Sequence, residues 1–279
     1  MTNFIPNTNI EIIQPDHPGG PFKHALFDFD GTISLIREGW QQIMIPMMVE
    51  FLLETPEAED EASLTKLVTE FVTRLTGKQT IYQMIELADE IKQRGGQPKE
   101  AVEYKHIYLD RLWQRIEHRV AGLKNGQLSP AEMVVPGSLA LLAALRARGV
   151  TCYLASGTDE PYVLDESAAL GVASYFNGGI YGALDNYKNF SKKMVIERIL
   201  RENHLSGDSL LTFGDGYVEI ENTVEVGGLA VGVASNEATR QGIDAWKRQR
   251  LIEAGASLII PDFREQAALL TYLDEVSPP

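Results

Sequence analysis

The chain has 279 residues with 39 acids against 25 bases, a formal charge of −14, which argues against nonspecific binding to nucleic acid or an anionic membrane. Its 44% hydrophobic and 23% charged residues are those of a globular chain able to build a sizeable core, in one large domain or two. A single cysteine, Cys152, excludes an internal disulfide framework and a cysteine-rich zinc site.

Residues 1–20 are rich in Pro, Asn and Gly and read as an irregular tail, with NIEIIQ (9–14) as a short strand. The opening MTNFIPNTNIEIIQP has no basic segment followed by an apolar stretch, so no signal peptide is expected. The most apolar stretch, IMIPMMVEFLL, is about half a membrane span and contains Pro46 and Glu50. The expectation is a soluble, cytoplasmic protein with no membrane or nucleic-acid partner, either monomer or homodimer.

KHALFDFDGT follows: an apolar run, Ala25 to Phe27, that ends in two carboxylates and Gly-Thr, as a buried strand stopping at a loop would. From about 36 to 126 the pattern is helical. Leu64, Leu67, Val68, Phe71, Val72 and Leu75 share one helix face, and Ile81, Met84, Ile85 and Ala88 repeat this in the next segment. A longer helix is predicted from Lys99 to Leu123 with Val102, Leu109, Leu112, Ile116 and Val120 inward. Pro46 is expected to kink or break the first helix.

After Pro136-Gly137 short apolar strands (TCYLAS, SLLTFGDG, GLAVGVA, SLIIP) alternate with helices (SLALLAALRARG, PYVLDESAALG, SKKMVIERILRE, IDAWKRQRLIEAG, REQAALLTYL). That alternation implies a parallel sheet with right-handed crossovers. The predicted organisation is a discontinuous α/β domain, residues 1–34 and 136–279, with an all-helical insertion over 35–135.

In an open parallel sheet, ligands bind beyond the carboxyl ends of the strands. Three ends carry polar residues: FDFDGT (27–32), ASGTDE (155–160) and FGDGYVE (213–219). Asp28 and Asp30 are two residues apart and would point the same way on a continuing strand. Close carboxylates stay ionised together only beside a compensating cation, and Mg²⁺ suits carboxylates, waters and phosphate oxygens. Asp215 and Glu219, the latter one turn into the next helix, add acid to the same end. Ser156, Gly157 and Thr158 offer hydroxyls and backbone N–H groups suited to phosphate oxygens. Lys192 begins a helix with Ser191 as N-cap and Phe190 and Val195 as a hydrophobic staple. A cation is disfavoured there by a few tenths of a kcal/mol, so an anion held nearby is expected.

Together these segments resemble the haloacid dehalogenase superfamily of phosphohydrolases, which carries DxDGT after the first strand, Ser/Thr after the second, a Lys before a later helix and GD-x3-acid after the fourth. The motifs here are Asp28-Phe29-Asp30-Gly31-Thr32, Ser156, Lys192 and Gly214-Asp215 with Glu219, over residues 22–274. The resemblance implies a Rossmann-like αβα core with a helical cap between the first two motifs, as in phosphoglycolate phosphatases and β-phosphoglucomutases. It implies that Asp28 is the nucleophile, forming an aspartyl-phosphate, and that Asp30 is the general acid and base. Mg²⁺ would be held by Asp28, the Asp30 carbonyl and Asp215, with Glu219 directly or through water. Gly31, Thr32, Ser156, Gly157 and Lys192 would hold the phosphoryl group.

Three features depart from the pattern. Ser34 stands where many relatives with this cap have Asp, Glu219 replaces the commoner Asp, and NYKNFSKKM offers Lys188, Lys192 and Lys193 with no Lys-Pro-x-Pro; helix register favours Lys192. Lys78, in a loop between two cap helices, and Arg37, just after the catalytic loop, are candidate substrate contacts. Cys152 reads as core, the five histidines show no metal-ligand spacing, and TrpLysArgGlnArg (246–250) reads as an exposed helix face. The expected activity is a Mg²⁺-dependent phosphatase for a small phosphorylated metabolite such as a sugar phosphate or phosphoglycolate. The alternatives are a β-phosphoglucomutase-like mutase and a non-catalytic sugar-phosphate-binding module.

Overall fold

The computed structural model describes residues 3–15, 22–184 and 186–275, which divide into two compact units: residues 1–38 with 119–279, and residues 39–118.

The first unit is built on an eight-stranded sheet. In chain order the strands are β1 (Asn3–Phe4), β2 (Glu11–Ile12), β3 (His24–Phe27), β4 (Thr151–Asp159), β5 (Gly179–Ala183), β6 (Leu210–Gly214), β7 (Leu229–Val233) and β8 (Leu258–Ile260). Their order across the sheet is β1-β2-β8-β7-β6-β3-β4-β5. Strands β3 to β8 pair in parallel, while β1–β2 and β2–β8 pair antiparallel. The sheet is mostly parallel, as read from the alternation. Part of the tail expected to be irregular forms the β1–β2 hairpin, which covers the edge of β8. Buried Glu11 fixes it there through a double hydrogen bond from Arg248 (2.6 and 2.7 Å). Strand β5 has no counterpart in the sequence reading, because GIYGA is short and glycine-rich.

The second unit contains α1 (Gln41–Leu53), α2 (Glu61–Leu75), α3 (Thr80–Gln93) and most of α4 (Ala101–Lys124), which continues past His118 into the first unit. Helix α1 runs unbroken through Pro46, five residues after it begins. Pro46 lies past the first turn, so the helix continues without the bond that a Pro46 N–H would make to the Gln42 carbonyl. On α2 the predicted face is buried at Leu64, Val68, Phe71, Val72 and Leu75, and half-buried at Leu67. Of the predicted inward positions of α4, Leu112, Ile116 and Val120 are buried and Leu109 is half-buried, and one needs correction. Val102 is exposed, and Tyr104, Tyr108, Leu112 and Ile116, at four-residue steps, are buried.

The first unit's remaining helices are α5 (Pro130–Met133), α6 (Ser138–Ala147), α7 (Glu160–Ala169), α8 (Lys192–Glu202), α9 (Tyr217–Glu225), α10 (Ala245–Glu253) and α11 (Gln266–Glu275). From β3 the chain builds outward to β4 and β5, then crosses back to β6, β7 and β8 on the other side. Right-handed crossovers in opposite directions place α6 and α7 on one face and α8, α9 and α10 on the other. The point of reversal lies at β3, beside β4 and β6, the place where sheets of this kind bind ligands at their strand ends. Among the described residues no helix is long and apolar enough to cross a membrane.

Candidate active site

The turn after β3 shapes the site. Asp28 continues the ladder with β6, donating its N–H to the Phe213 carbonyl (2.9 Å). The Phe29 carbonyl then accepts from the amides of Thr32, Ile33 and Ser34. The Phe29 side chain is fully buried, which turns the carboxylates on either side of it toward the strand ends. Gly31 adopts φ +76°, and a Cβ there would run into the Asp215 carboxylate. Gly214 is required in the same way, since a Cβ there would strike Glu219.

Asp28 is buried and meets the Lys192 ammonium, Nζ to Oδ2 at 2.8 Å; its other oxygen accepts from the Phe29 amide (2.8 Å). Lys192 also bonds Glu219 Oε2 at 2.7 Å, while Glu219 Oε1 accepts the Gly216 amide (2.8 Å) at the start of α9. Ser191 caps α8 by accepting the Met194 amide, as expected. Burial pushes the Asp28 carboxyl well above the ordinary carboxylate range, and Lys192 opposes that. Burial also works against the charge on Lys192, but Asp28 and Glu219 outweigh it and raise its pKa.

Asp30 accepts hydrogen bonds at Oδ2 from Thr158 Oγ1 (2.8 Å) and from Ser156 Oγ at 3.4 Å. Its Oδ1 is buried and accepts no hydrogen bond; Arg37 Nε lies 3.9 Å away. Burial raises the Asp30 pKa to about 6, with Arg37 pulling it down and Glu166 pushing it up. Arg37 is itself buried in a double hydrogen bond to Glu166 on α7. A guanidinium held in this way is poorly placed for the substrate contact expected of it, and acts on Asp30 instead.

Asp215 accepts from Thr32 Oγ1 at 3.3 Å and meets Lys247 Nζ at 2.7 Å. Lys247 reaches in from α10 and also bonds Glu237 Oε1 (2.7 Å) and Ser235 Oγ (3.3 Å). The stretch 246–250 is therefore a mixed face, not an exposed one: Trp246 is 43% exposed and Lys247 only 9%. Neighbours on a helix point about 100° apart. Lys247, Glu237 and Glu166 are not singled out by the sequence and stand in no recognisable motif; Thr158 is, with Ser156, but as a donor to phosphate oxygens and not to Asp30.

Asp28, Asp215 and Glu219 each present a carboxylate oxygen within 4.8 Å of the other two. Hard oxygen donors gathered so closely fit a divalent cation such as Mg²⁺. All three carboxylates accept hydrogen bonds at both oxygens, and the least committed oxygen is Asp215 Oδ1, which accepts only the 3.3 Å bond from Thr32. Gly157 lies partly buried in β4. Lys78 is exposed between α2 and α3 of the second unit, its Nζ 5.8 Å from the centre of the Tyr82 ring. Lys193 is exposed and paired with Glu225. Cys152 is buried, its thiol pushed up to about 12 by burial, in keeping with a core residue. His24 shares a hydrogen bond with Tyr153, and His17 lies outside the described residues.

Residues 22–221 match the sequence profile of the haloacid dehalogenase-like hydrolases. The chain belongs to this family. Haloacid dehalogenase-like folds in solved structures agree. A β-phosphoglucomutase from Clostridium difficile superposes with TM-score 0.61 at 13% identity, over 91% of this chain and 98% of that one. A protein described as a predicted phosphoglycolate phosphatase from Haemophilus somnus gives 0.60 at 16%, over 90% and 98%. A mutant of CbbY from Rhodobacter sphaeroides, in complex with xylulose-(1,5)bisphosphate, gives 0.56 at 17%, over 89% and 99%. At these identities the likeness concerns the fold. No curated protein matches the chain in sequence. As a haloacid dehalogenase-like hydrolase the chain is an enzyme whose family motifs converge at one end of its sheet. Glu237 and Lys247 lie beyond the matched segment.

Proposed function

We propose that the protein is a Mg²⁺-dependent phosphatase that hydrolyses a small phosphorylated metabolite through an aspartyl-phosphate on Asp28. The observation that carries this reading is the buried fork of Lys192 between Asp28 and Glu219, beside Asp30 and Asp215. Lys192, 2.8 Å from Asp28, opposes the burial that raises the Asp28 pKa, and a divalent cation beside it would favour the nucleophilic carboxylate further. That oxygen attacks phosphorus, the ester oxygen leaves, and Asp30 gives it a proton. Asp30 then takes a proton from water, whose oxygen attacks the phosphoryl group and frees Asp28. A carboxyl with a pKa near 6 can do both near neutral pH.

Asp28 and Asp215, with the Asp30 carbonyl, would hold Mg²⁺, and Glu219 would support it through Lys192. When bound, the cation supplies positive charge that lets an anionic substrate approach a carboxylate. Ser156, the amides around Gly31, Thr32 and Gly157, and Lys192 would bind the transferred oxygens. Substrate choice we assign to the helical insertion over 35–135, with Lys78 as a candidate contact. The neighbours include a β-phosphoglucomutase, a predicted phosphoglycolate phosphatase and a protein bound to xylulose-(1,5)bisphosphate, which supports a substrate of that size.

A phosphomutase would use the same Asp28 chemistry, and the β-phosphoglucomutase fold match gives that reading its place. A panel of phosphorylated metabolites, assayed with Mg²⁺ for free phosphate and for isomerised product, tests both. Phosphate release without isomerisation is expected. Isomerisation that needs a bisphosphate primer would favour the mutase, and no turnover of any substrate would overturn the proposal.

A further inference from the structure

Lys247 is a buried cation at the third position of α10, where the helix dipole does not favour it. Its three ammonium protons face three acceptors: Asp215 Oδ2 at 2.7 Å, Glu237 Oε1 at 2.7 Å and Ser235 Oγ at 3.3 Å. Ser235 in turn donates to the Gly31 carbonyl (2.6 Å), so the group is tied to the catalytic turn. Glu237 comes equally close, lying 3.0 Å from where a Gly31 Cβ would stand. The ammonium is therefore held in one position, with Asp215 Oδ2 committed to it. Asp215 Oδ1 accepts only a long bond from a hydroxyl that can rotate away, at 3.3 Å.

The arrangement separates geometry from charge. One lysine between two carboxylates leaves the trio with a net negative charge, so Lys247 orients Asp215 without cancelling its pull on a cation. Mg²⁺ demands near-octahedral geometry, usually with single oxygens, while Ca²⁺ accepts both oxygens of one carboxylate and more ligands. We propose that Lys247, backed by Glu237, is a positioning residue that leaves Asp215 one oxygen for the cation and so sets the site's preference for Mg²⁺ over Ca²⁺. This rests on the metal site of the proposed function, and on none of its catalytic steps.

The test is calorimetric titration of the full chain with Mg²⁺ and with Ca²⁺, without substrate. The variant K247M/E237Q removes one positive and one negative charge, so the net charge at Asp215 is kept while its Oδ2 is freed. The ratio of Mg²⁺ to Ca²⁺ affinity should fall about tenfold or more, chiefly by tighter Ca²⁺ binding. E237Q alone should weaken both cations and leave the ratio unchanged. An unchanged ratio in the double variant would overturn the inference, whereas a wild type that binds neither cation would overturn the metal reading beneath it. A crystal structure of the wild type with Ca²⁺ gives an answer even if the double variant fails to fold. Lys247 should remain on Oδ2 with one Asp215 oxygen on the ion; both oxygens on the ion, with Lys247 displaced, would refute the role.

Discussion

Lys192 and Lys247 each enter from the first turn of a helix, and each ends between two carboxylates. Lys192 joins Asp28 to Glu219, and Lys247 joins Asp215 to Glu237. Both are buried, and both have pKa values raised by their carboxylates against the opposing effect of burial. They differ in what they face. Lys192 touches the proposed nucleophile and can follow charge onto the phosphoryl group. Lys247 touches the far oxygen of a proposed metal ligand and has no proton left for a substrate. In the proposed mechanism the same local chemistry would serve transition-state stabilisation on one side of the turn after β3 and ligand orientation on the other.

Substitution at the two lysines separates these roles. Lys192→Ala should reduce turnover by about 10²–10³-fold, as loss of a charge-stabilising donor does. With saturating Mg²⁺, K247M/E237Q should cost about tenfold or less, because only orientation is disturbed. Equal losses, measured as kcat on one substrate, would erase the distinction.

Between the two forks lies Asp30, which has no lysine. Its pKa of about 6, against 3.8 for a free aspartate, means that the folded chain holds a proton the unfolded chain releases. The resulting penalty is absent below about pH 4 and complete above about pH 6. In chelator, wild-type unfolding free energy relative to Asp30→Asn should therefore fall on the order of 2–3 kcal/mol across that window. Denaturant titrations at several pH values measure this, and a flat difference would mean Asp30 is no more buried in effect than a surface carboxylate. The smallest effect is expected at Lys193, exposed beside Glu225, where Ala should hardly change stability or turnover. A loss in Lys193→Ala matching that in Lys192→Ala would break the assignment by helix register.

The Lys192 fork was legible in sequence because each part carries a local signal. An apolar strand stops at Asp28, Ser191 caps the helix that begins with Lys192, and Gly214-Asp215 precedes an acid one turn later. The alternation after Pro136 revealed the parallel sheet for a similar reason, since buried strands are continuous apolar runs. The Lys247 fork was not legible. Lys247 and Glu237 are ten residues apart across an irregular loop, and Lys247 sits among polar residues that resemble a solvated face. The pairing of Arg37 was not legible either, because its partner Glu166 is 129 residues away and no local pattern announces the pair. Val102 was misplaced because the buried stripe on α4 is partly tyrosine, which an aliphatic pattern does not register.

The central claim is that Asp28 carries the phosphoryl group during turnover. Rapid acid quench of enzyme with Mg²⁺ and a labelled substrate, then reduction and peptide mapping, tests it most directly. The account predicts label on Asp28 in the wild type and neither label nor turnover in Asp28→Asn. Label on another residue, or turnover retained in that variant, would contradict it.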